Sequence, residues 1–247
     1  MKFDFSGKTV IVTGGTSGLG YGISKSFLEA GADVIAFYRS NDEKAETVTN
    51  ELNNIGDFKV VKVDVSDEAN MEEVFKQINK LDYLINCAGL SNEDAFIKLP
   101  LDKIKEVFEV QLFGKMIACR CAYPLLINSK SPRVINIASR YATKPLENAI
   151  PYTSAEAATI MFTKNLALEW ANDRIKVNAV SPSLTINTGS YYEFYTDEDA
   201  AEIGKSNPSG RLGKLEDVAN TVLFLCTDEA EYINGENINV NGGILLK

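Results

Sequence analysis

Short β-branched segments alternate with amphipathic segments along almost the whole chain, and this alternation restricts the fold more than any other feature. Seven segments have the composition of strands: Thr9–Thr13, Asp33–Tyr38, Phe58–Val63, Tyr83–Asn86, Arg133–Ala138, Lys176–Val180 and Asn237–Val240. The amphipathic segments between them predict helices: Gly18–Ala30, Asp42–Asn54, Glu68–Asn79, Leu101–Asn128, Tyr152–Asn172 and Leu215–Cys226. Several strands are apolar on both faces, which is typical of parallel strands covered by helices. We therefore expect an α/β fold with one doubly wound parallel sheet in three layers.

The length and charge of the chain favour one domain that binds neither nucleic acid nor a membrane. The 247 residues contain no repeat and no linker, so we expect a single domain over residues 1–247. The net charge of −9 repels phosphate backbones. Apolar runs fall short of the ~18 residues that cross a bilayer, and the polar N-terminal segment does not resemble a signal peptide. The four cysteines form no Cys-x-x-Cys pair, so we expect free thiols and a cytoplasmic location.

The sequence contains no histidine, and this absence removes whole classes of chemistry. It excludes the Ser-His-Asp and Cys-His schemes and the commonest zinc ligand sets. We expect no metal site. Acid–base chemistry must then come from Tyr, Lys, Asp, Glu or Ser side chains.

A glycine-rich loop, TGGTSGLG over residues 13–20, lies between the first predicted strand and the first predicted helix. Glycines let a backbone turn tightly and approach a pyrophosphate, whose charge is stabilised at the helix N-terminus. Glycines alone would indicate only a turn. In this position they predict the dinucleotide site of a Rossmann-type fold.

The end of the second predicted strand favours one coenzyme over the other. An acidic residue there would hydrogen-bond the adenosine ribose of NAD. This chain instead has Arg39 and Ser40, which suit a 2′-phosphate. We expect NADP(H) in preference to NAD(H); a solvated Arg39 without a ligand is the alternative.

Several motifs in order resemble the short-chain dehydrogenase/reductase family, in its 3-oxoacyl-acyl-carrier-protein reductase branch, over nearly the whole chain. They are the glycine spacing Gly14-x-x-x-Gly18-x-Gly20, Asp64-Val65, Asn86-Cys-Ala-Gly89, Ser139 followed by Tyr152, Asn178-Ala-Val-Ser-Pro182, Gly210-Arg-Leu-Gly213, Glu216-Asp-Val-Ala219 and Asn241-Gly-Gly243. The resemblance implies hydride transfer between NADPH and a carbonyl. It implies that Ser139 holds the carbonyl oxygen and that Tyr152 protonates it, which fits a reaction that develops alkoxide charge.

The motifs together give a set of expected cofactor-binding residues. They are Gly14, Thr16, Ser17, Gly18, Leu19, Gly20, Arg39, Ser40, Asp64, Val65, Asn86, Ala88, Gly89, Tyr152, Glu156, Pro182, Ser183 and Thr185. An alternative role for Asp64 is to prepare the next helix.

Three positions depart from the family pattern. Glu156 stands where the family's Tyr-x-x-x-Lys motif has lysine, Gln111 stands in place of a relay asparagine, and Ser183 replaces a glycine. Residues 152 and 156 lie one helical turn apart on the same face. A carboxylate ~6 Å from a developing phenolate costs about 3 kcal/mol at a dielectric near 20, where lysine would contribute a similar gain. We expect Tyr152 to be a weaker acid–base group and an altered proton relay, with Ser139, Tyr152, Glu156 and Gln111 as the candidate catalytic residues.

Two routes would compensate for the exchanged charge. Glu156 can accept hydrogen bonds from ribose hydroxyls or donate one when protonated, and Arg140 and Lys144 are candidate neighbouring cations. The main functional hypothesis is an NADP(H)-dependent ketoreductase acting on a β-ketoacyl thioester or similar carbonyl, free or carrier-bound. The alternatives are a cofactor-binding homologue with little redox activity, paired with an active partner subunit, and a non-redox enzyme such as a dehydratase or isomerase.

Two further expectations concern assembly and substrate access. Residues 188–213 predict a long insertion between the last two strands, either a substrate lid or a surface excursion, with a Tyr191, Tyr192, Phe194 and Tyr195 cluster. The family resemblance implies a homotetramer built through the Tyr152 helix, the Leu101–Asn128 helix and the C-terminal strand. A mixed assembly with an active relative is the alternative.

Overall fold

A computed structural model of the protein describes residues 3–91, 94–188 and 196–246. The strands of these residues form one seven-stranded parallel sheet in the order β3-β2-β1-β4-β5-β6-β7. Their bounds are β1 Thr9–Thr13, β2 Asp33–Tyr38, β3 Phe58–Lys62, β4 Tyr83–Asn86, β5 Arg133–Ile137, β6 Lys176–Pro182 and β7 Asn237–Val240. The prediction of a doubly wound parallel sheet is confirmed.

The helices cover both faces of the sheet. They are α1 Gly18–Glu29, α2 Asp42–Leu52, α3 Glu68–Lys76, α4 Leu101–Phe108, α5 Gly114–Leu126, α6 Ile150–Glu169, α7 Asp197–Ser206 and α8 Leu215–Leu225. One buried apolar cluster joins the sheet to α1 and α8, and a second joins its other face to α3, α5 and α6. Within the described ranges, we find no helix that is both long enough and apolar enough to cross a bilayer.

The strand order places a crevice at the middle of the sheet. From β1 the chain winds outward to β2 and β3, then returns to β4 on the opposite side of β1. Because the connections leave in opposite directions at this point, the carboxyl ends of β1 and β4 border an open crevice where α/β proteins bind ligands.

The prediction of one long helix over Leu101–Asn128 is wrong in one respect. The structure divides it into α4 and α5, with the wider π-helical turn Glu109–Phe113 between them. This extra turn carries Gln111. At its end Gly114 lies so close to Val65 that a Cβ there would be 2.7 Å from the valine side chain. The break therefore lets the helix pack tightly beside the cleft, and such π turns often occur at functional sites.

The insertion over residues 188–213 contains a helix that hydrophobic patterning missed. Helix α7 begins with a capping box in which the Thr196 and Asp199 side chains each bond the other residue's backbone amide. This Thr-x-x-Asp pattern was a readable signal for a helix start. The aromatic cluster Tyr191, Tyr192, Phe194 and Tyr195 lies outside the described residues.

Candidate functional site

A cleft of about 750 Å³ opens at the carboxyl edge of the sheet. Nearly all of the predicted site residues line it: Gly14, Thr16, Ser17, Gly18, Leu19, Gly20, Arg39, Ser40, Asp64, Val65, Ala88, Gly89, Gln111, Ser139, Tyr152, Glu156, Pro182, Ser183 and Thr185. They come from segments far apart in the chain because the ends of parallel strands meet at one edge. The structure thus brings the predicted glycine loop and the predicted polar residues into one space.

Two glycines of this loop pack too closely against the backbone to tolerate a side chain. Gly14 has a φ of +68°, and a Cβ there would lie 3.1 Å from the Ala88 Cα. A Cβ on Gly20 would overlap the Gly14 carbonyl oxygen. Helix α1 follows with Ser17 as its N-cap, without a side-chain capping hydrogen bond and without an acidic residue in its first turn. Its first amide groups are therefore suited to an anion.

Thr13 fixes the opposite side of the crevice. Its Oγ1 accepts hydrogen bonds from the amides of Cys87 and Ala88, both at 3.0 Å. The end of β1 thereby holds the loop after β4 at a set distance from the glycine loop. The sequence did not single out this threonine as an anchor.

Asn86 is a correction to the predicted site. Its side chain is 1% exposed, and its amide donates to the Asn136 side chain at 2.9 Å and to the Cys119 Sγ at 3.3 Å. It does not line the cleft but joins β4 to β5 beneath it. Asn86 is the last residue of β4, in the middle of the sheet, and its side chain points into the core. The motif alone does not specify this direction.

At the far end of the cleft, Arg39 and Ser40 follow β2, and Lys44 of α2 lines the same region. Sequence reasoning missed Lys44, which lies in the first turn of α2 and adds a second positive side chain. Asp64 also lines the cleft, and its carboxylate accepts from the Ser66 amide at 2.9 Å and the Ser66 hydroxyl at 2.6 Å. Asp64 therefore shapes the turn before α3 while facing the cleft.

Ser139 and Tyr152 line the middle of the cleft from two elements. Ser139 follows β5, is 7% exposed, and its Oγ accepts from the Tyr141 amide at 3.2 Å. This bond leaves the serine hydroxyl proton available for another acceptor. Tyr152 lies in the first turn of α6. Tyr141, which also lines the cleft, is a third hydroxyl that sequence reasoning missed.

Gln111 and Glu156 contact each other directly. The Gln111 Nε2 donates to Glu156 Oε1 at 2.8 Å, and both side chains are buried, at 4% and 2% exposed. Within the part of the chain that the structure describes, the Gln111 Oε1 and the Glu156 Oε2 have no hydrogen-bond partner. The two departures from the family pattern thus form one unit, with two acceptor oxygens left over.

Burial changes the charge expected at Glu156. It raises the pKa of this carboxyl to about 7, while the nearby Lys115 ammonium acts in the opposite direction. Near neutral pH the group is therefore partly protonated, and the full negative charge expected from sequence is reduced. Lys115 is itself 3% exposed, and sequence reasoning missed it because an isolated lysine in a helix reads as a surface residue.

The compensating cations expected from sequence were the wrong ones. The Arg140 guanidinium bonds to the Tyr141 hydroxyl, and Lys144 is exposed. The charge that acts on Glu156 comes from Lys115, on a different helix. No sequence pattern connects α5 to α6, so this pairing depends on the tertiary fold.

A glycine loop between β1 and α1, with a crevice at the switch point of a doubly wound sheet, defines a dinucleotide-binding α/β protein. Comparison with known proteins supports this class. A family model described as enoyl-(acyl carrier protein) reductase matches residues 14–245. The chain is 34% identical over 249 residues to the 3-oxoacyl-(acyl-carrier-protein) reductase FabG of Chlamydia pneumoniae, covering 99% of each. It is 33% identical to FabG of Aquifex aeolicus, covering 99% of this chain and 100% of the relative.

A solved structure agrees as well. A protein from Beutenbergia cavernae with the provisional name NAD(P)-dependent gluconate 5-dehydrogenase, holding NADP at low occupancy, superposes with a TM-score of 0.92 at 29% identity over 100% of both chains. The chain belongs to the short-chain dehydrogenase/reductase family of oxidoreductases.

Proposed function

We propose that this protein is an NADP(H)-dependent ketoreductase that reduces a β-ketoacyl thioester or a similar carbonyl to an alcohol, through an altered proton relay. The observation that carries the proposal is the cleft at the carboxyl edge of the sheet. It brings the glycine loop, Arg39, Ser139 and Tyr152 together with Gln111 and Glu156. The similarity to two 3-oxoacyl-(acyl-carrier-protein) reductases supports the acyl thioester as substrate class.

The residues of the cleft fit a nicotinamide dinucleotide. The start of α1 suits the pyrophosphate, because it has neither a side-chain cap nor an acidic first turn. The unpartnered, buried Glu156 Oε2 suits a ribose hydroxyl. When bound, the coenzyme supplies the hydride, and the protein's task is to hold both reactants and provide a proton.

Two positive side chains support NADP(H) in preference to NAD(H). Arg39 and Lys44 line the cleft where β2 ends, and Ser40 adds a hydroxyl. A 2′-phosphate carries close to two negative charges, which neighbouring cations favour. The NADP in the similar Beutenbergia cavernae structure is consistent with this preference.

Ser139 and Tyr152 are proposed to do the proton chemistry. The Ser139 Oγ accepts from a backbone amide, so its own proton is available to the oxygen of a bound carbonyl. Tyr152 donates the proton that completes the alcohol. As hydride arrives, negative charge grows on the carbonyl oxygen, and two hydroxyl donors stabilise it.

Glu156 and Gln111 replace the family's relay with a different set of groups. A carboxyl with a pKa of about 7 exchanges protons readily near neutral pH. It lies one turn beyond Tyr152 on α6, so it is placed to accept a hydrogen bond from the coenzyme's ribose and to share its proton with the relay.

We also propose that residues 188–213 are a substrate lid. Both ends of this segment are tied beside the cleft: the Ile186 amide donates to the Gly213 carbonyl at 3.0 Å, and the Gly213 amide to the Leu184 carbonyl at 3.1 Å. Leu184, Thr185 and Thr188 line the cleft. A segment anchored at both ends can close over a ligand without displacing the sheet.

A homotetramer and a cytoplasmic location remain predictions. Exposed apolar side chains on the expected interface support assembly: Phe113 is 50% exposed, Met161 57% and Leu168 80%. All four cysteines are free, which is consistent with a reducing compartment.

The experiment follows NADPH absorbance with an acetoacetyl thioester and, in parallel, measures the binding of NADPH and NADH by calorimetry. We expect turnover in wild type and a loss of about 10²-fold or more in Tyr152→Phe, with NADPH binding retained. As a matched control, Tyr123→Phe on α5 changes a tyrosine outside the cleft and should keep full turnover. NADPH binding without turnover on any carbonyl would refute the ketoreductase and favour the weakly active homologue.

A further inference from the structure

Lys115 is a buried cation that the mechanism above does not use. It is the second residue of α5, and its side chain is 3% exposed. Gln111 and Glu156 line the cleft and Lys115 does not, which places Lys115 behind the cleft wall. A lysine is rarely buried this fully unless it is paired. The groups that pair with Lys115 are therefore the key to its burial.

The Lys115 ammonium is held on the π turn. Its Nζ donates to the Gln111 main-chain carbonyl at 2.6 Å, and the Thr159 hydroxyl of α6 approaches the same oxygen at 3.5 Å. The Gln111 side chain in turn donates to Glu156. One residue thus joins the cation to the carboxyl: its carbonyl binds Lys115 and its amide binds Glu156.

The charges of Lys115 and Glu156 influence each other. Burial lowers the pKa of Lys115 while Glu156 raises it. Burial raises the pKa of Glu156, and Lys115 lowers it. Cys87, after β4, is the other titratable group that interacts with both, and Tyr152 precedes Glu156 by one turn of its own helix. Burial raises the pKa of the Cys87 thiol to about 12, so Cys87 stays neutral near pH 7.

Charged groups on the other elements packed against α6 do not serve the same role. Lys103 pairs with Glu106 and Lys176 with Glu231, and Asp102, Lys105 and Glu109 are exposed. Arg140 is buried and bonds to the Tyr141 hydroxyl, and the cation that acts on the Glu156 carboxyl is Lys115 instead. Lys115 is therefore the cation that the described elements supply to Glu156.

We propose that Lys115 is a positioning residue of this site. Its ammonium holds Gln111 and Glu156 in place from behind the cleft wall, and it supplies the positive charge that lets the free Glu156 oxygen accept a hydrogen bond from a ligand hydroxyl. The proposal rests on the proposed function for the identity of that ligand, the ribose of a nicotinamide dinucleotide.

The test is the titration of the Glu156 carboxyl in the protein without coenzyme or substrate. Carboxyl infrared difference spectra are recorded across pH for wild type and for Lys115→Met, which keeps the length of the side chain and removes its charge. Glu156→Gln in each background identifies the Glu156 band. We expect the midpoint to rise by about one pH unit or more in Lys115→Met, because the carboxylate loses its neighbouring cation. Lys164→Met, an exposed lysine farther along α6, should leave the midpoint unchanged.

A second readout connects the titration to binding. The pH dependence of NADPH affinity should move to higher pH in Lys115→Met by the same amount as the carboxyl midpoint. A purely structural role for Lys115 would lower affinity equally at every pH. An unmoved midpoint in folded Lys115→Met overturns the proposal.

The double variant Lys115→Met/Glu156→Gln covers the case in which Lys115→Met does not fold. If Lys115 offsets the Glu156 charge, removing both charges restores folding; if the double variant also fails to fold, the proposal is overturned. Because the titration needs no turnover, it stands even if the reductase assay fails. Turnover together with an unmoved Glu156 midpoint would support the proposed ketoreductase activity and would refute a role for Lys115 in it.

Discussion

The raised pKa of Glu156 predicts that the protein loses stability as pH rises through the range from about 5 to 8. In the unfolded chain the carboxyl titrates near its ordinary value of 4.5, and in the folded protein near 7. The folded state therefore holds this proton more tightly than the unfolded state. Stability from this group is fully present below the unfolded pKa and is lost as pH rises through the folded pKa.

The size of the effect follows from the difference between the two pKa values. A shift from 4.5 to about 7, at about 1.36 kcal/mol for each pKa unit, corresponds to a loss of about 3 kcal/mol. The lowered pKa of Lys115 has the opposite sign, because it makes stability rise with pH wherever it contributes. A fall in stability over this range is therefore the sign expected of the buried Glu156 carboxyl and not of Lys115.

Urea unfolding at several pH values between about 5 and 8 measures this loss. Glu156→Gln removes the titrating group, and the difference in free energy of unfolding between wild type and this variant cancels the contributions of groups that do not interact with Glu156. We expect that difference to fall by about 3 kcal/mol across the range. Glu169→Gln, at the exposed end of the same helix, serves as the control and should track wild type. A difference that stays flat or rises with pH would refute the buried, proton-holding carboxyl.

Two further predictions concern the coenzyme region. Arg39→Ala should weaken NADPH binding by about 10-fold or more while changing NADH binding by less than about 2-fold, because it removes a positive charge from the expected 2′-phosphate site; calorimetry with both coenzymes measures this, and equal losses for both would contradict it. Gly20→Ala should destabilise the fold by about 3 kcal/mol or more, because its Cβ would overlap the Gly14 carbonyl oxygen. Gly210→Ala, at a glycine of positive φ with open space around it, is the comparison, with thermal unfolding as the measurement; equal losses in the two variants would show that the overlap is not what matters.

The sheet was predictable from sequence because its strands carry their signal locally. Segments such as β1 and β5 are apolar on both faces, and this marks a strand covered on both sides wherever it lies. The glycine loop was predictable for a similar reason, since its position between β1 and α1 is visible in the order of residues. The order of the motifs therefore predicted many of the residues that line the cleft, but not others such as Lys44 and Tyr141.

The break between α4 and α5 was not predictable in the same way. Residues 101–128 keep helical periodicity throughout, and a π turn inserts one residue without a strong compositional mark. The turn is nevertheless what places the Gln111 carbonyl within reach of Lys115 and its side chain within reach of Glu156. A small irregularity in one helix thus decides the arrangement of the site.

The exchange of lysine for glutamate at position 156 looks damaging only when that position is considered alone. A carboxylate exposed beside Tyr152 would oppose any negative charge on the phenol. In the structure this carboxyl is buried, bonded to Gln111 and close to a cation on the neighbouring helix. The Gln111 bond and the Lys115 charge both come from the segment 109–115, so the carboxyl on α6 makes physical sense only together with the π turn and α5. The raised pKa of the buried carboxyl and the nearby ammonium thereby limit the negative charge that Tyr152 meets.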